Sequence, residues 1–238
     1  IFMLFFKNHS YISFNLSDFT FSTDIIWDII KVGLPASLSM IVMAVGQGVF
    51  NKILVHISVN TVAAYQVAGR LDMLVFLPIF SIAASLTTLV GMFYGAKEYG
   101  ALRYIIKYGI FSALLITIIS STIVYTFAGH VVRFFTDDAS IVIIAVNFLQ
   151  IFAFAYPFIA VGITTGRVLQ GLGKGLPVLI ITIVRVLGVS APLALFFVFI
   201  MDKTVEWVWY SMMLSTIVAF GIGLTWLIST LKTLPASK

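Results

Sequence analysis

Six long apolar stretches, at 35–56, 62–94, 105–128, 141–161, 176–200 and 205–231, constrain this chain more than anything else in it. Each is long enough to cross a hydrocarbon core, which takes about 20 helical residues. The few charges sit almost entirely at the seams between them. A backbone in lipid must satisfy its own hydrogen bonds, so such stretches are helices. The expected fold class is an all-α membrane protein, a bundle of six transmembrane helices. Hydrophobic residues make up 61% of the chain, charged residues 10%, and mean hydropathy is +1.13. A soluble domain of this size needs far more polar surface.

A net charge of +5 resembles a nucleic-acid footprint until the positions are read. With the amino end in the cytoplasm, the inner segments carry nine basic residues: Lys7, Lys31, Lys97, Arg103, Lys107, Arg167, Lys174, Lys232 and Lys238. The outer segments carry three, Lys52, Arg133 and Lys203, together with the acids Asp137, Asp138, Asp202 and Glu206. This asymmetry orients helices in a membrane. It predicts a multi-pass membrane protein with both ends cytoplasmic, the lipid bilayer as partner, and no nucleic acid. Without cysteine there is no disulfide or thiolate metal site, and His9, His56 and His130 are too scattered for a zinc cluster. No catalytic pair stands at suitable spacing, so an enzyme is not expected.

Residues 1–6 form an apolar stub too short to span, read as the tail of a preceding transmembrane helix in a longer transporter. Residues 7–32 are expected to be a cytoplasmic linker. Within it, Ser22-Thr23-Asp24 offers a helix cap, and Ile25, Ile26, Ile29 and Ile30 recur at helical spacing. This predicts a short amphipathic interface helix, with the chain turning into the membrane at Gly33-Leu34-Pro35. The six-helix lobe occupies 33–232 and a cytoplasmic tail 233–238. Trp207, Trp209 and Tyr210 on one side, and Tyr94, Tyr99, Tyr104 and Tyr108 on the other, fit aromatic belts.

Pro78, Pro157 and Pro192 lie inside apolar stretches. Each removes a backbone hydrogen bond, which fits bent helices around a cavity or simple packing accommodation. Gly46 and Gly48, Ala83 and Ala84, Gly91 and Gly95, and Gly221 and Gly223 permit close helix contact. The run Gln170-Gly171-Leu172-Gly173-Lys174-Gly175 joins two apolar stretches and does not match a nucleotide-binding loop, so it reads as a tight turn.

Arg70, Asp72 and Arg185 are the charges well inside apolar stretches, where each needs a partner or water. Helical rise brings Asp72 and Arg185 to comparable depth, and an Asp72–Arg185 pair is expected, serving either helix register or transport. Gln47 with Asn51, Gln66 with Arg70, Asn147 with Gln150, and Thr182 with Arg185 share helix faces. Such faces line a path or bond to other helices. Tyr65, Phe154 and Tyr156 offer aromatic contact to a cationic ligand or plain apolar packing.

Together these pieces resemble the MATE (multidrug and toxic compound extrusion) transporters. The resemblance is carried by Lys31-Val32-Gly33-Leu34-Pro35-Ala36-Ser37-Leu38, Val62-Ala63-Ala64-Tyr65-Gln66-Val67-Ala68-Gly69-Arg70, Leu77-Pro78, Val90-Gly91 and Gly95-Ala96. Phe134-Phe135-Thr136-Asp137-Asp138 and Val168-Leu169-Gln170-Gly171-Leu172-Gly173 follow in the family's order. The resemblance implies the carboxy-terminal lobe of a twelve-helix transporter. Such a protein expels amphiphilic, often cationic compounds in exchange for Na+ or H+, by alternating access between two lobes. Some members carry coupling acids in the first and fourth helices of this lobe. Met43 and Ile159 stand there instead, so the coupling-ion site is expected in an amino-terminal lobe, and no cofactor is implied. The cleft then needs that lobe or a second copy as partner. A lipid-linked precursor flippase of the same superfamily, a non-transporting scaffold and a truncated remnant stay open as alternatives.

Overall fold

The computed structural model describes residues 21–235. Six helices follow in order: α1 (Thr23–Ile57), α2 (Val59–Gly95), α3 (Tyr99–Arg133), α4 (Ala139–Gly171), α5 (Leu176–Ile200) and α6 (Glu206–Lys232). Each is long and apolar enough to span a membrane, yet only 17% to 44% of its most apolar window is buried inside the bundle. Most of the apolar surface therefore needs a non-aqueous surrounding. The chain is a multi-pass membrane protein. The apolar stub at 1–6, most of the linker and residues 236–238 of the tail lie outside the described residues.

Helix ends follow from local chemistry. Ser58 is the whole joint between α1 and α2: its N–H donates to Leu54 O at 3.0 Å, and its Oγ accepts from Thr61 N at 3.1 Å. The Gly-rich run is a turn, as its composition suggests. Gly173 takes the left-handed φ of 76°, with Gly173 N bonded to Gln170 O and Lys174 N to Leu169 O at 2.9 and 2.8 Å. That geometry closes the last carbonyls of α4 and favours glycine at its centre.

One element departs from expectation. No interface helix or turn separates residues 23–33 from the first span, because α1 runs unbroken through Gly33-Leu34-Pro35. Pro35 removes only one amide bond, and its own carbonyl accepts from Ser39 Oγ at 2.8 Å. Gly175 packs against the same turn, so closely that a Cβ there would lie 2.7 Å from Val32 O.

Pro78 and Pro157 likewise sit within continuous helices. In α5 the accommodation is larger. π-helical turns at Val184–Ser190 and Phe196–Ile200 flank Pro192, and Ala191 N–H reaches back to Val186 O. Such turns re-aim the side chains around them.

Helix α4 is the centre of the bundle, packed on α2, α3 and α6, while α5 joins α1 to α6. The buried face of α3 is a ladder of mostly small residues, including Gly109, Ala113, Thr117, Ser121 and Ala128. Small side chains let helices approach where lipid gives no hydrophobic drive. Two apolar clusters result. One gathers Phe50, Leu71, Phe148, Tyr156 and Trp209; the other gathers Leu86, Leu102, Leu169 and Leu227.

Candidate functional site

The chain's polar groups divide between its two ends and the spans. At the end holding the α2–α3 and α4–α5 loops, Arg103 Nη2 donates to Leu231 O, Leu234 O and Pro235 O at 3.4, 3.2 and 3.1 Å. A cation is thus placed on the unpaired carbonyls closing α6. Lys174 Nζ also reaches Thr230 Oγ1 at 3.3 Å. At the opposite end, Asp138 caps α4. Its Oδ1 accepts from Ser140 Oγ, Ser140 N and Ile141 N at 2.7, 2.8 and 3.3 Å. The Ser140 hydroxyl foremost, then the amides of Ile141 and Ser140, hold this carboxyl below its ordinary value of 3.8. Asn60 Nδ2 bonds Ser140 Oγ at 2.8 Å and ties α2 to the same cap.

Within the spans, Asp72 does not pair with Arg185. The Asp72 carboxylate instead accepts a hydrogen bond from the Tyr156 hydroxyl, which joins α2 to α4 just before Pro157. The depth count places Asp72 and Arg185 level but says nothing of azimuth, and Tyr156 on the central helix lies nearer. Arg185 sits half-buried in the first π-helical turn of α5. Among the described residues no ion pair forms. Its same-face neighbour Thr182 bonds its own helix, donating to Val178 O at 2.8 Å.

The pairs on α1 and α2 meet across helices as well as along them. Gln66 Nε2 donates to Asn51 Oδ1 at 3.4 Å. Gln47, Gln66 and Arg70 are exposed and Asn51 is half-buried. Arg70 stands eleven residues into α2, about 16 Å along its axis. A guanidinium at that depth is costly against lipid, so this face turns to water or protein.

The aromatic candidates have other uses. Tyr65 stacks on Trp209, centroids 5.8 Å apart, and meets Phe148 edge-on at 5.6 Å. Trp209, expected in a membrane-interface belt, is wholly buried at the heart of this group. Its neighbours Trp207 and Tyr210 stay partly exposed, as a belt requires. Tyr156 is wholly buried, so its ring packs and its hydroxyl serves Asp72. Phe154 is exposed and packs edge-on to Tyr125 at 5.6 Å.

Asn147 and Gln150 are not on the α1–α2 face. With His130 and Arg133 they line a separate groove of about 510 Å³ between α3 and α4. Reasoning from sequence passed over His130 and Arg133 because they sit at a helix end among ordinary flanking charges. Their spacing of three was the available signal.

The chain is similar to known proteins in sequence and in overall fold. A family model described as MatE matches residues 35–196. The probable multidrug resistance protein NorM of Thermotoga maritima is 28% identical over 167 residues, 70% of this chain and 36% of that protein. The multidrug export protein MepA of Staphylococcus aureus is 28% identical over 72% of this chain and 38% of its own length. A MOP superfamily transporter from Pyrococcus furiosus superposes with a TM-score of 0.88 at 30% identity, over 98% of this chain and 52% of that one. A structure of an outward-facing multidrug resistance MATE family transporter gives 0.90 at 29% identity, over 99% and 53%. The chain thus spans about half the length of these solved relatives.

Proposed function

Because this chain belongs to the MatE family, we propose that it forms one six-helix lobe of a secondary active exporter. In this reading a second six-helix unit completes a cleft, and amphiphilic or cationic compounds leave through it in exchange for Na+ or H+. The observation that carries the proposal is the exposed polar face of α1 and α2. Gln47, Gln66 and Arg70 are exposed within membrane-spanning helices, and Gln66 is bonded to Asn51. Lipid cannot solvate that face, whereas a wet cleft against another lobe can. The names of NorM and MepA, both multidrug proteins, support the same class of cargo.

The coupling cation binds in the other lobe. Asp72, the acid well inside a span, is engaged by Tyr156, and Met43 and Ile159 offer no carboxylate. The lobe sits in the cell membrane with the Arg103 and Lys174 end in the cytoplasm, in keeping with the excess of basic residues there.

The test is dye efflux from vesicles holding the complete transporter, with sodium and proton gradients imposed separately. One gradient should drive efflux, and Arg70→Leu should reduce it while the protein still inserts. Efflux indifferent to both gradients would sink the coupling, and a fully active Arg70→Leu would sink the assignment of the face.

A further inference from the structure

We infer that the exposed face of α1 and α2 selects amphiphiles carrying an anionic group, with Arg70 as the residue that reads the charge. This rests on the reading of that face as a cleft wall and names the cargo the wall favours. Arg70 is exposed, and among the described residues its guanidinium makes no ion pair and no hydrogen bond. At that depth it needs a counter-charge or water.

The charges around it have one sign. Lys52 is exposed on α1, one residue beyond Asn51. Of the nine acidic residues only Asp72 lies well inside a span. It points away from the face, since two residues along a helix is about 200° around it. Its carboxylate is taken by the Tyr156 hydroxyl of α4. The remaining polar groups of the face are neutral. Gln66 and Asn51 are bonded to each other. Ser81 and Ser85 turn their hydroxyls onto their own helix, to Leu77 O and Ser81 O at 3.1 and 3.0 Å. The face thus offers positive charge and no negative charge. A cationic cargo would set two like charges together where water screens little, whereas a carboxylate forms a charge-assisted, two-point hydrogen bond with a guanidinium.

The apolar part of the cargo has a place as well. Leu74 and Leu77, 59% and 49% exposed, continue the face of Arg70 at helical spacing. Leu74 stands about 6 Å further along the axis. A cation followed by leucines complements an anionic head on an apolar body, and a small hydrophilic anion would leave the leucines unused.

The experiment measures equilibrium binding, which needs no gradient, to the complete transporter in zwitterionic nanodiscs, with partition into empty nanodiscs subtracted. The probes are a dansyl-labelled undecanoate, its methyl ester and the matching undecyl trimethylammonium. Undecanoate should bind about tenfold tighter than the ester, the worth of one charged hydrogen bond, and the trimethylammonium should bind weakest. Arg70→Gln should abolish the advantage over the ester, Arg70→Lys should keep the order, and Arg70→Glu should reverse it. The parent ranking decides by itself if a variant fails to insert. Trimethylammonium binding as tightly as undecanoate would mean that another unit answers Arg70 with its own carboxylate, and the selection is overturned. Binding of no probe beyond partition, or a ranking indifferent to Arg70→Gln, overturns it equally. Displacement of undecanoate by phosphatidylglycerol added to the nanodisc would give the face to bilayer lipid instead. Efflux indifferent to ion gradients would refute the exporter while leaving this ranking intact.

Discussion

Asp72 and Tyr156 show how one hydrogen bond can organise a membrane bundle. A carboxylate inside a span needs a donor, and the tyrosine hydroxyl of the central helix supplies it. Tyr156→Phe keeps the ring and removes the donor. It should cost about 1–2 kcal/mol, as interhelical polar contacts in membranes do. The readout is the melting temperature of the detergent-solubilised protein. Asp72→Asn retains an acceptor for the hydroxyl and should melt closer to the parent; the reverse ranking would mean that the bond does not join the helices. Asp138 gives a second test, this time in water. Its carboxyl is held below 3.8 in the fold, so the cap stabilises α4 above that value and fades as the pH falls through the folded-state value beneath it. Asp138→Ala should therefore melt lower than the parent at neutral pH, with the gap closing in acid below pH 3.8. A gap constant with pH would rule out the ionised cap.

At the scale of the helix, contact distance is set by small residues rather than by the apolar stripe that orders soluble helices. Gly46 of α1 meets α5 at Val186, where an added Cβ would stand 2.2 Å from Val186 Cγ1. Gly46→Ala should destabilise by about 1–3 kcal/mol through overpacking, and the added change Val186→Ala should restore most of it. Thermal melts of both single variants and the double variant decide; simple additivity would mean that the two helices do not meet at this point. The sequence marked Gly46 as a contact residue but marked Gly48, Gly95 and Gly221 equally, and these three have open space where a Cβ would go. Spacing identifies small residues without saying which face is inward. For the same reason the α3 ladder from Gly109 to Ala128 escaped notice: only the packing of α2 and α4 against α3 singles that face out. Helix starts were more legible. The Ser22 cap lies immediately before Thr23, where α1 begins.

For the whole molecule, the absence of cysteine in the sequence makes sidedness directly measurable. Single cysteines at Glu98 and Asp137 lie at opposite ends of α3. An impermeant thiol reagent should label Asp137→Cys from outside intact cells and Glu98→Cys only after the membrane is opened. The opposite pattern would invert the proposed topology.

The solvent, the count of six spans and the placement of basic loops at one end were written in the sequence. Apolar length, turn chemistry and charge at helix ends are properties of short segments, and a bilayer converts them directly into topology. Tertiary structure alone decided which side chains meet. It gave Asp72 to Tyr156 instead of Arg185, drew Trp209 into the core, and put Asn147 and Gln150 in a groove away from Gln66 and Arg70. Depth along a helix can be counted from residue number. Azimuth depends on how neighbouring helices lean and on the π-helical turns that re-aim α5 around Arg185, and both arise only when all six pack together.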